Sequence, residues 1–166
     1  MELDFFKKTR ILDGGMGQEL LARGMKPNGT LWSANAIINP DYHKLLLDTH
    51  LDFIKAGAEV IVTATFTTRR NRLRDNNVED KFEYLNKKAG EIAIEVKQKF
   101  PDVLIAAGLP PQNNTYEPDD RPNEEITENF NEQARLLNPY IDFFYFDVWS
   151  SILEFKCGID AIKEFK

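Results

Sequence analysis

Apolar residues fall into two kinds of run along this chain. Short, nearly continuous β-branched or aromatic stretches alternate with longer ones whose apolar positions recur every three or four residues. The first kind predicts strands buried on both faces, as in a parallel sheet, and the second predicts amphipathic helices. Strands are expected at residues 9–13, 59–66, 103–107 and 142–147. Helices are expected at 18–23, from Pro40 to the stop at Gly57, at 79–100 before Pro101, at 124–138 and at 152–165, with Ser150 as cap of the last. Residues 1–8 read as a lead-in helix, 24–39 as irregular, 67–75 as a basic polar loop, and 109–123 as a proline- and acid-rich loop long enough to suggest a task.

The order is therefore β-α repeated four times, with right-handed parallel crossovers. Two architectures fit: a small open α/β domain, or the first four units of an eight-unit (β/α) barrel of the TIM type, a half-barrel spanning residues 1–166 as one domain. In either, binding groups belong at the C-terminal ends of the strands.

Composition narrows the class. The chain has 166 residues, 42% hydrophobic and 29% charged, which is globular rather than disordered. A net charge of −6 argues against a nucleic-acid surface. No apolar run approaches a membrane span, and residues 1–10 lack the apolar core of a secretion signal, so a cytoplasmic protein is expected. The lone Cys157 excludes an internal disulfide and any multi-cysteine metal site within these residues.

The first predicted strand ends in Asp13 and breaks into three glycines, Gly14, Gly15 and Gly17. Glycine lets backbone approach a ligand closely. The same pattern also suits a tight turn whose Asp caps the next segment of chain. Asp147 ends the fourth predicted strand, so Asp13 and Asp147 form the one carboxylate pair read as functional. His43 and His50 share a helix face two turns apart, which suits structural hydrogen bonding rather than a metal pair. Arg69, Arg70, Arg72 and Arg74 read as a solvated cluster, and Asp119 and Asp120 as turn formers.

Five blocks in order carry a resemblance. Asp13-Gly14-Gly15-Met16-Gly17-Gln18-Glu19-Leu20 resembles the DGGMGTEL opening of the homocysteine S-methyltransferase family, whose betaine- and methionine-synthase relatives share the fold. Leu31-Trp32-Ser33-Ala34 with Pro40, then His50 with Ala56-Gly57-Ala58 and 61–66, are similar to its next two blocks. Leu109-Pro110-Pro111 with Thr115-Tyr116 and Pro118-Asp119 resembles the LPP…SYRPD loop of one bacterial branch. Phe144-Tyr145-Phe146-Asp147 with Glu154 is similar to the strand that usually ends in Glu.

The resemblance implies a (β/α)8 zinc enzyme that moves a methyl group from a sulfonium-, betaine- or folate-type donor to the thiolate of homocysteine, giving methionine. Zinc is expected for the full-length family, on three cysteines of a second half whose motifs do not occur here. No catalytic residue and no metal ligand is therefore assigned, and the chain alone is expected to be inactive. Substrate-binding residues implied by the resemblance are Asp13, Gly14 and Gly15 for the amino-acid end of homocysteine, with Asp147 in place of the family Glu. Trp32 would wall the donor pocket, and Thr67 stands where relatives carry a ligand-facing Tyr or Gln. The competing expectation is a non-catalytic half-barrel that self-associates, as a homodimer, through open strand edges. An unrelated phosphate-binding α/β enzyme fits less well, because the glycine turn matches neither G-x-G-x-x-G nor the P-loop.

Overall fold

A computed structural model describes residues 3–165. Its centre is a parallel sheet of three strands, β1 (Val60–Val62), β2 (Leu104–Leu109) and β3 (Phe143–Phe146), ordered as they occur in the chain. Val60 aligns with Leu104 and Ala106 with Phe143. The expected first strand is reduced to a single parallel bridge, Leu12 to Val60, with Asp13 N–H donating to Val60 O at 2.9 Å. Ile11 and Leu12 are 59% and 37% exposed, so nothing among the described residues packs on their far side to extend the ladder.

The second expected strand is also shorter than its apolar run. Beyond Val62 the threonine hydroxyls compete with the ladder for backbone groups. Thr65 Oγ1 donates to Gly108 O at 2.7 Å, Thr63 Oγ1 accepts from Gly108 N–H at 3.1 Å, and Thr68 Oγ1 is 3.0 Å from Thr65 O. This hydroxyl-rich turn marks the C-terminal end of β1.

The helices are α1 (Met16–Ala22), the short α2 (Asn35–Ile38), α3 (His43–Lys55), α4 (Arg70–Asp75), α5 (Phe82–Lys99), α6 (Asn123–Leu137) and α7 (Ile152–Ile162). Three of them correct the sequence reading. The stretch expected as irregular contains α2, whose Ala36 and Ile37 are fully buried. The basic stretch expected as loop contains α4, because Leu73 is fully buried and anchors a helical turn. The cap of α7 is Ser151, not Ser150: its backbone is extended and its Oγ accepts from Glu154 N–H at 3.4 Å. Of the lead-in helix expected over 1–8, the first two positions lie outside the described residues, and Leu3–Lys7 form a 3-10 helix.

Three apolar clusters hold these elements, the smallest joining α6 to α7 through Ile126, Phe130, Cys157 and Ala161. Leu20, Leu31, Ile37, Leu46, Leu73 and Leu85 join α1 through α5. Ile61, Ile105, Leu109, Ala134 and Leu137 join the sheet to α5 and α6. Among the described residues no helix is long and apolar enough to cross a membrane.

Candidate functional site

The strand ends gather residues far apart in sequence. Asp13 leaves the Leu12 bridge and turns its carboxylate onto β1, where both oxygens lie 3.1 Å from the Val62 N–H that donates to them. His50, buried on α3, brings Nδ1 to 3.3 Å from Asp13 Oδ2, a close contact without an aligned hydrogen bond. A Cβ at Gly14 would lie 2.7 Å from Phe53 Cε1, so a larger residue there would have to displace that ring. Gly15 meets nothing within 4 Å, so its backbone faces open space.

Asp147 follows β3, its N–H held by Leu109 O at 3.0 Å. Its carboxyl is half-buried and its pKa is raised, first by burial and then by the Asp13 charge. Tyr145 is raised as well, by burial first and then by Asp147 and Asp13. Asp13, held at the end of β1, and Asp147, just past β3, thus lie at the same C-terminal edge of the sheet, with Tyr145 two residues before Asp147. Sequence reasoning missed Tyr145, although the period of two along a strand puts it on the face of Asp147.

Trp32 and Thr67 complete this side. Trp32 is 48% exposed, has a left-handed backbone (φ 48°), and lays its indole on Gly17, where a Cβ would come within 1.6 Å of Nε1. Thr67 is placed differently from a ligand-facing residue. It is buried, with Oγ1 donating to Leu31 O at 2.6 Å and accepting from Ala34 N–H at 3.2 Å. The small hydroxyl reaches backbone where a longer side chain would reach outward.

The arginine cluster is not a solvated loop. Arg69 is fully buried, donating to Phe66 O at 2.8 Å, Asn113 O at 3.0 Å and Thr115 Oγ1 at 3.2 Å. It thereby ties the long loop (110–122) to the end of β1. Burial lowers its pKa to about 10, with Arg72 adding to the shift. Arg70 grips Glu132 in a two-pronged pair at 2.5 and 3.0 Å, and Arg74 grips Glu79 at 2.8 Å. Asp119 folds the loop by pairing with Arg121 at 2.7 and 2.9 Å. Under the loop, Glu154 is 1% exposed, and neither carboxylate oxygen has an aligned hydrogen-bond partner among the described residues. Burial first, then Asp119, raises its pKa, with the Gln112 backbone opposing the shift.

These residues do not fit zinc. Among the described residues no three His, Cys, Asp or Glu side chains gather into a metal-binding group. Cys157 is buried in α7 with Ile126, Phe130 and Ala161. His43 Nε2 is 2.8 Å from Ile37 O, which occupies that ring atom structurally.

Comparison with known proteins agrees with the architecture. The homocysteine methyltransferase MmuM from Escherichia coli, solved in its metallated form, superposes with a TM-score of 0.83 at 22% identity, over 98% of this chain and 62% of that one. A homocysteine S-methyltransferase 2 of Zea mays is 33% identical over 104 residues, 62% of this chain and 30% of the relative. A selenocysteine Se-methyltransferase of Brassica oleracea var. italica is 34% identical over 94 residues, 55% of this chain and 26% of the relative. The matched stretches thus span about a third or less of these curated relatives. The family model for homocysteine S-methyltransferase matches residues 10–166, and on that match the chain belongs to the homocysteine S-methyltransferase family.

Proposed function

We propose that the strand-end cluster binds the amino-acid end of homocysteine for transfer of a methyl group to its thiolate. One observation carries this reading. Asp13 and Asp147, separated by most of the chain, are brought to the same C-terminal edge of the sheet, Asp13 by Val62 N–H at the end of β1 and Asp147 by Leu109 O just past β3, and the Asp13 charge contributes to the raised pKa of Asp147. Two acids held this way suit an ammonium ligand, which would relieve their repulsion. Asp147 is the more available of the two, because Asp13 is engaged by Val62 N–H. No step through a metal is assigned, since no group that would hold one gathers among the described residues. The chain accordingly supplies a substrate-binding half of the site, and methyl transfer needs groups from beyond it.

Titration calorimetry with L-homocysteine tests this. The wild-type chain is expected to bind, and Asp147→Asn to bind at least ~30-fold more weakly, the scale for removing one partner of a charge pair. Equal affinities would overturn the assignment. The same samples given zinc, homocysteine and sulfonium, betaine or folate donors are expected to yield no methionine.

A second reading, self-association, rests on a different observation. Ile152, Phe155 and Ile159 lie on α7 at helical spacing, 78%, 46% and 44% exposed, and β3 is the last strand of the sheet among the described residues. We propose that this face seats a second copy of the chain. Light scattering reads the outcome directly: a dimer supports it, and a monomer at high concentration removes it.

A further inference from the structure

Resting on the reading of the strand-end cluster as the homocysteine site, we infer that Gly17 and Thr67 act together as positioning residues. They preset Trp32 as a fixed wall of that cluster before any ligand arrives.

Trp32 holds a conformation that L-residues avoid. Its φ of 48° lies in the left-handed region, where the Cβ of an ordinary residue crowds the backbone. A half-exposed tryptophan would relax out of it unless its neighbours were fixed. Both flanks are fixed by one hydroxyl. Thr67 Oγ1 donates to the carbonyl of Leu31 on one side and accepts from the N–H of Ala34 on the other. Ser33 Oγ lies 3.4 Å from the same oxygen. Thr67 is itself buried and comes from the turn after β1, so the tether runs from the end of the sheet to the Trp32 turn.

Gly17 supplies the second constraint. The indole occupies the space a side chain would take, with Nε1 and Cδ1 at 1.6 and 1.8 Å from an ideal Cβ position. Any residue but glycine would push the ring away from the Asp13 turn. The sequence signal was present but ambiguous: a third glycine two residues after Gly15 reads as turn chemistry, whereas here it is the seat of an aromatic ring.

Fluorine NMR on protein carrying 5-fluorotryptophan tests the pair. There are two tryptophans, and a Trp32→Phe variant assigns the signals. Trp149 serves as the internal control for the fold, since its Nε1 donates to Leu109 O at 2.7 Å and its ring stacks on Phe146. Thr67→Val and Gly17→Ala are each expected to shift or broaden the Trp32 resonance and leave that of Trp149 in place. Thr67→Ser, which keeps the hydroxyl, is expected to restore the wild-type signal. An unmoved Trp32 resonance in both Thr67→Val and Gly17→Ala would overturn the inference. Should Thr67→Val disturb Trp149 too, Gly17→Ala and Thr67→Ser decide alone. Homocysteine affinity is expected to fall about tenfold in Thr67→Val, the scale of one lost hydrogen bond. A wild-type chain that binds no homocysteine would refute the function proposed for the cluster while leaving the NMR result to judge the positioning pair.

Discussion

Around Asp13 and Trp32 most polar groups are engaged, buried His50 Nδ1 being the exception, whereas the Glu154 carboxylate is left without an aligned partner and Asp147 carries a raised pKa. Asp13 accepts from Val62, Thr67 bridges Leu31 and Ala34, and the helices behind them share a cluster of fully buried leucines and isoleucines. At the other end Asp147 carries a raised pKa, Glu154 is buried without an aligned partner, and α7 turns Ile152, Phe155 and Ile159 outward. One side of the cluster is thus largely paired as it stands. The other has the character of a surface that expects a neighbour or a ligand.

Substitutions can break this contrast, and the largest effect belongs to the paired side. Leu20→Ala should cost about 3 kcal/mol in denaturant unfolding, because a fully buried leucine leaves a cavity between α1 and its neighbours. A loss below about 1 kcal/mol would mean that this side is as loose as the other. Arg69→Met comes next. It strands the carbonyls of Phe66 and Asn113, at about 2 kcal/mol, and should open residues 110–122 to protease before the rest of the chain. Cleavage no faster than in the wild type would show that the loop is held by something else.

Glu154→Gln should act in the opposite direction. A carboxyl with a raised native pKa imposes no penalty below its unfolded value, and the penalty grows as pH rises through the native value. The variant should therefore be about 1 kcal/mol more stable than wild type at pH 7.5 and equal to it near pH 4. A constant difference across that range would put the effect in packing rather than charge. Ile152→Ser should be the mildest, within about 0.5 kcal/mol, since the side chain is already in water. A larger loss, with a concentration-dependent melting temperature, would reveal a covered face and favour the self-associating reading.

The parallel α/β order was legible in the sequence because strands buried on both faces leave continuous apolar runs. Thus β2 and β3 lie within two residues of expectation at either end. The strand at residues 9–13 was not, because pairing depends on a second neighbour that Ile11 and Leu12 lack among the described residues. Residues 63–66 look like a strand by β-propensity, yet threonine hydroxyls divert their backbone. The burial of Arg69 was invisible for a similar reason. Its partners are mostly main-chain carbonyls, which leave no trace in residue identity. Asp147 does follow a strand where one was expected, whereas Asp13 follows only a single bridge, Leu12 to Val60. The work of Thr67 could not be read from the sequence, because a hydroxyl that points inward and one that points at a ligand are spelled the same way.

The strands neighbour one another in the order of the chain, β1 beside β2 beside β3. During synthesis each strand-helix unit can therefore dock on its predecessor as soon as it leaves the ribosome, without waiting for a distant segment. The growing edge at any moment belongs to the strand made last. Assembly of this protein is thus directional in time: the Trp32 side can be in place before Asp147 is translated, and the second carboxylate arrives at a cluster already formed to receive it.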